Sequence, residues 1–109
     1  PKDIQFDNFT TVSIDVYVPA SIDFEGTDLQ KNLELGFADM SQTESWWEDN
    51  EYYLVEGADL VVGEWNTYTF NLADTEVLDR QDLDQMYLRF GGGGHEVGAT
   101  IYVRNLTFE

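Results

Sequence analysis

The chain has 109 residues, no cysteine, and 22 acidic against five basic side chains, a formal net charge of −17. That length makes one domain, residues 1–109, able to bury somewhat over about 60% of its unfolded surface without staples. The missing cysteines exclude a disulfide framework and a thiolate metal site. The acidity excludes nucleic acid, because phosphate binding needs a basic stripe that five cations cannot build. It also disfavours anionic membranes and acidic glycans through long-range repulsion. No apolar run approaches the ~20 residues of a membrane span. The chain opens at Pro1 without a leader, which reads as a piece of a longer, secreted polypeptide.

Residues 1–8 are polar and read as an extended lead-in. Val12, Ile14, Val16 and Val18 then alternate with polar neighbours, the period-2 pattern of a strand with one dry face. Pro19 ends it, since proline cannot donate to a ladder. Residues 21–31 read as a loop, and Leu33, Leu35 and Phe37 mark a second strand whose other face carries Asn32, Glu34 and Gly36. Residues 41–50 are polar except for Trp46 and Trp47. Residues 51–55 and 60–62 flank Glu-Gly-Ala-Asp, which reads as a hairpin turn between two strands. Tyr68, Phe70 and Leu72 alternate in a strand that opens at Trp65. Residues 74–84 hold at most a helical turn around 78–83, too short for a stable helix. Met86, Leu88 and Phe90 alternate with Gln85, Tyr87 and Arg89, four glycines follow at 91–94, and residues 99–109 form a last strand.

Six or seven strands with almost no helix predict an all-β antiparallel β-sandwich. Ile14, Val16, Leu35, Phe37, Tyr68, Phe70, Leu88 and Phe90 are its expected core. The order W-x-T-Y-T-F-x-L, L-x-x-M-Y-L-R-F, glycine loop, I-Y-V-x-N-L-x-F resembles the closing half of jelly-roll, galactose-binding-like carbohydrate-binding modules. Such modules are appended to secreted mannanases, glucanases and xylanases, and FTTVSIDVYVPASI looks like an earlier strand of them. They have one or two further strands before that segment, which this chain lacks or compresses into eight residues. An unpaired sheet edge would follow, and such an edge invites pairing with a neighbour. Modules of this type also carry a structural calcium held by an aspartate in the last strand. Arg104 stands at that position here, which puts the calcium in doubt and predicts an ion pair in its place.

Candidate binding residues fall into two groups. Trp46 and Trp47, with Tyr53 beyond them, offer aromatic faces for stacking against sugar C–H patches. If the tryptophans lie on a strand, they point to opposite faces and only one belongs in the core. Gln85, Tyr87 and Arg89 share one face of their strand and line up an amide, a phenol and a guanidinium, a donor-rich row suited to hydroxyl groups. Asn32 and Glu34 flank this row if their strand is its neighbour. Trp65 is expected to pack structurally. The glycines at 91–94 are no phosphate cradle, because no helix bearing a lysine follows them.

No Ser/His/Asp or Cys/His set is present, and no acid is embedded in the aromatic platform, so the chain is not expected to be an enzyme. The expected function is a non-catalytic carbohydrate-binding module. It would hold an attached glycoside hydrolase on a neutral plant β-glycan, β-mannan or β-glucan, by raising its effective concentration there. The alternative is a structural or adhesion β-sandwich that binds protein and no sugar. The charge imbalance yields a direct test. Self-repulsion should weaken the fold at low ionic strength, so the melting temperature should rise with salt as screening sets in. A flat curve in a salt titration followed by circular dichroism would mean that the acids are locally neutralised.

Overall fold

The computed structural model describes residue 6, residues 8–41 and residues 46–109, with Trp46 described by its backbone alone. The predicted lead-in therefore falls largely outside the described residues. Six strands form: β1 (Thr11–Tyr17), β2 (Asn32–Ala38), β3 (Glu51–Glu56), β4 (Trp65–Asn71), β5 (Gln85–Phe90) and β6 (Tyr102–Phe108). They build two antiparallel three-stranded sheets, one in the order β4-β1-β6 and the other β3-β2-β5. The molecule is an all-β sandwich, with β1 central in one sheet and β2 central in the other.

Alternation explains why these two strands take the centre. Val12, Ile14 and Val16 of β1 are buried, and so are Leu33, Leu35 and Phe37 of β2. Val12, Leu35, Phe37, Tyr53, Leu72, Val77 and Leu83 form one cluster, to which Phe6 adds an edge-on contact with Phe37 at 5.1 Å. Ile14, Val16, Val18, Leu33, Val55, Leu60 and Tyr68 form the other. Five of the eight expected core residues, Ile14, Val16, Leu35, Phe37 and Tyr68, are buried. Phe70, Leu88 and Phe90, from edge strands, are half-buried and pack against these clusters. β2 differs from an ordinary half-buried strand, since Glu34, Gly36 and Ala38 on its outward face are covered as well.

Two expected elements come out differently. Residues 60–62 make no strand, so there is no hairpin around Glu-Gly-Ala-Asp. Instead Gly57 takes a left-handed φ of 61°, its N–H bonds the carbonyl of Lys31, and a short 3-10 turn follows at Gly57–Asp59. Leu60 plugs the core, Tyr68 Oη accepts the N–H of Val61, and Gly63 N–H bonds Val18. The chain is crossing from one sheet to the other here, so its polar backbone is satisfied by scattered partners and not by a ladder. The predicted helical turn lies earlier than expected, at residues 76–80, where Asp79 and Arg80 both donate to the carbonyl of Glu76. Val77 within it and Leu83 just after it are buried and anchor it to the core.

Phe37→Ala should cost about 3–5 kcal/mol of stability, the range for a buried large aromatic, because its ring is wholly enclosed. Phe70→Ala should cost less, since its ring is only half-buried. Urea titrations of the two variants should show that order with unchanged m-values.

Candidate functional site

Cross-strand register builds a polar face on the outside of the β3-β2-β5 sheet. Glu34 lies between Leu54 of β3 and Arg89 of β5, Gly36 between Tyr52 and Tyr87, and Ala38 opposite Gln85. Gln85, Tyr87 and Arg89 thus share one face with Asn32 and Glu34, the adjacency expected if β2 is the neighbour of β5. Tyr87 lies across the backbone of β2: a Cβ added at Gly36 would fall 2.1 Å from its Cζ. Glycine is needed here because any side chain would occupy the space of the phenol ring.

Glu34 holds this face together. Its carboxylate is buried yet accepts the Tyr87 hydroxyl at 2.6 Å and Nη2 of Arg89 at 3.0 and 3.1 Å. A buried carboxylate without such partners would be strongly destabilising. The side-chain amide of Asn50 in turn donates to Tyr87 Oη. Burial, and after it the Glu34 carboxylate, push the Tyr87 phenol well above the usual tyrosine range, so it stays protonated and donates. Arg89 uses Nη2 on Glu34, and its side chain stays half-exposed.

The aromatic predictions divide. Trp46–Glu48 is a 3-10 turn just before β3, so the rule that strand neighbours point to opposite faces does not apply there. Trp47 is 57% exposed, and the side chain of Trp46 lies outside the described residues. Tyr53 is a correction. It pairs with Leu35 on the inward face, is only 6% exposed, stacks on Phe70 at 5.2 Å and donates its hydroxyl to the carbonyl of Leu72. Tyr52, 50% exposed, is the tyrosine on the outer face. Both residues are aromatic and both parities of Tyr52–Val55 are apolar, so only pairing with β2 distinguishes them.

Sequence reasoning also missed Glu34 as the centre of the site and Arg80 as its neighbouring anchor. Arg80 bonds Asp82 at 2.6 and 2.9 Å and Glu51 at 3.1 Å, and it also reaches the carbonyl and carboxylate of Asp49. It thereby pins the 72–84 connection to the start of β3, below Asn50. A single arginine among so many acids was the only signal available.

The outer face of the other sheet is organised by Asp15. It accepts Thr67 Oγ1 at 2.5 Å, Asn105 Nδ2 at 2.8 Å and Arg104 Nε at 3.4 Å. The Thr67 hydrogen bond, then that of Asn105, holds its carboxyl below the usual range. The expected ion pair of Arg104 is therefore present, with Asp15 as partner. Asn105 sits in a bulge of β6 at φ 55°, a region asparagine tolerates better than other non-glycine residues. Trp65 packs as expected, with Tyr17 beside it and the Arg104 guanidinium 4.0 Å over its ring, although part of the indole stays open.

A larger hollow, about 490 Å3, opens at one end of the sandwich between the 19–29 and 97–102 loops, lined by Ser21, Asp23, Thr27, Leu29, Thr100 and Tyr102. Asp28 ties these loops by accepting the N–H of Glu96 at 2.7 Å and of Val97 at 3.4 Å. None of the sequence-predicted site residues lines this hollow. His95 is turned onto the carbonyl of Val97. Among the described residues no group of three or more histidine, aspartate or glutamate side chains converges as a metal site requires.

Comparison with protein-family models, curated proteins and solved structures returned no significant match.

The contact between Gly36 and Tyr87 makes a sharp prediction. Gly36→Ala should push the ring aside, break its bond to Glu34 and destabilise the fold by about 1–3 kcal/mol. In a Tyr87→Ala background the same change should cost little. A double-mutant cycle in urea should give a coupling above about 0.5 kcal/mol, and none would mean that the ring lies elsewhere.

Proposed function

We propose that this chain is a non-catalytic carbohydrate-binding module that binds a neutral β-glycan on the outer face of the β3-β2-β5 sheet. One observation carries this reading: a polar row, Asn50–Tyr87–Glu34–Arg89, is locked by its own hydrogen bonds on the sheet face where Tyr52 is exposed, with Trp47 exposed in the turn that leads into β3. A row fixed before the ligand arrives loses little side-chain entropy on binding. Sugars need this pairing of flat apolar faces with directional hydroxyl partners. The half-exposed Arg89 side chain and the Gln85 amide supply donors, and the aromatics supply stacking surface.

The acidity supports a neutral ligand, since −17 repels uronic acids, phosphates and anionic surfaces alike. With attachment to a secreted glycoside hydrolase, binding would act by raising that enzyme's concentration at the polymer. β-Mannan and β-glucan are the proposed ligands, and extracellular polysaccharide the proposed setting.

Calorimetry against mannan and glucan oligosaccharides tests the site. Trp47→Ala or Tyr52→Ala should cost about 2 kcal/mol of binding, as expected for a central aromatic anchor. Arg89→Lys should also weaken binding, because an ammonium cannot reproduce the planar fork. Tyr53→Phe should leave affinity unchanged. If the parent protein binds no glycan on a broad panel, the proposal fails and a protein-binding adhesion domain takes its place.

A further inference from the structure

Two strand edges lie open on the same flank of the sandwich. β5 closes one sheet and β6 the other, and no described strand pairs with the second edge of either. Between them a cleft of about 340 Å3 reaches down to Ile14, Leu35 and Leu88. Its rims are Met86 from β5 and Val103 and Leu106 from β6. Register turns Met86 and Val103 inward, Leu106 lines the cleft from the β6 bulge, and the three remain 38%, 49% and 41% exposed. These side chains face a core that stops short of covering them.

The two edges are not equally available. Native sheets defend open edges with charge, proline or a bulge. β6 has such a defence, a bulge between the partners of Ser13 and Asp15. β5 has neither bulge nor proline: it runs in unbroken register with β2 from Gln85 to Phe90, and its one charge, Arg89, lies on the outer face against Glu34.

Charge then selects the partner. Of the 22 acids, none lies in β5 or β6. The two charges these strands do carry, Arg89 and Arg104, are paired with Glu34 and Asp15 of the central strands. On a molecule of net charge −17 this flank is a locally neutral, apolar strip. A second copy meets the least repulsion there.

We propose that two copies associate through this flank, β5 against β5 in antiparallel register about a twofold axis, giving one continuous six-stranded sheet. Each copy seats its Met86 over the cleft rim formed by Val103 and Leu106 of its partner. A twofold contact of this kind is self-complementary, and adding strand to strand satisfies the open backbone groups of both edges at once. The remaining acids still repel, so salt strengthens the association by screening, whereas an ion-paired interface would weaken. If the face carrying Gln85, Tyr87 and Arg89 binds glycan, pairing sets the two faces side by side on one sheet. That consequence rests on the carbohydrate reading, while the association itself does not.

Sedimentation equilibrium of the whole chain over a concentration series, at low and at high sodium chloride, tests this. The expected result is a monomer at low salt and a monomer–dimer equilibrium at high salt. Met86→Lys should weaken the dimer by more than about tenfold, because an unpaired ammonium must be desolvated in the cleft. Val103→Lys on the facing rim gives the same result by a second route, should Met86→Lys disturb the monomer. Leu54→Lys, on the opposite edge strand of the sheet, should leave association unchanged. A monomer under all conditions, a dimer insensitive to both rim lysines, or one abolished by Leu54→Lys would each overturn the proposal. A dimer that binds no glycan would leave it standing and sink only the carbohydrate reading.

Discussion

The sandwich hangs on one contact, the inward face of β1 against the inward face of β2. Val12, Ile14 and Val16 meet Leu33, Leu35 and Phe37 across the gap between the sheets, and every other strand is hydrogen-bonded to one of these two. Burial of apolar area is worth roughly 25 cal/mol per Å2, and these six side chains supply buried members to both core clusters. Edge strands gain stability by adding to this seam. Phe70 and Phe90 of the edge strands are half-buried, whereas the central valines and leucines are sealed.

Such a seam must coexist with a large excess of acids, and the solution lies in where they sit. β1 and β2 each carry one acid on the outward face, Asp15 and Glu34, and each is met by an arginine from the adjacent edge strand. Arg80 does the same for Asp49, Glu51 and Asp82 at the base of β3. Three of the five cations are therefore placed where a carboxylate comes close to the core or where a long connection needs an anchor. Other acids cap loop N–H groups, as Asp28 and Asp23 do, and separation and salt limit the repulsion among the acids at the surface.

The same economy of cations shapes the candidate site. Tyr87 and Arg89 are held on Glu34 first, and what they offer to a ligand is the part of each group that the internal bonds leave over. The small residues Gly36 and Ala38 let the phenol lie flat on the strand. Pre-organisation and stability are thus one network here, and substitutions at its centre will move both together. The exposed aromatics stand outside that network's centre, so affinity is more separable from stability at Trp47 and Tyr52 than at Glu34.

How much of this was legible in the sequence follows from the range over which each feature is decided. Strand positions, the parity of β1, β2 and β5, and the grouping of Gln85, Tyr87 and Arg89 all follow from local alternation, and the net charge follows from composition. These are properties of a few neighbouring residues or of the whole count. Local pattern fails where both parities are apolar, as in Tyr52–Val55, so it placed Tyr53 outside when hydrogen bonding to Leu35 of β2 turns it in. It fails again at residues 60–62, whose strand-like composition serves a crossing between sheets. The burial of Glu34, the fit of Tyr87 over Gly36 and the hold of Arg80 on Glu51 join residues from 29 to more than 50 positions apart, and the open flank arises only because two different sheets end side by side at β5 and β6. The sequence by itself determined which side chains alternate and what charge they carry. Only the tertiary structure decided which of them meet, because register is set between strands and not within them.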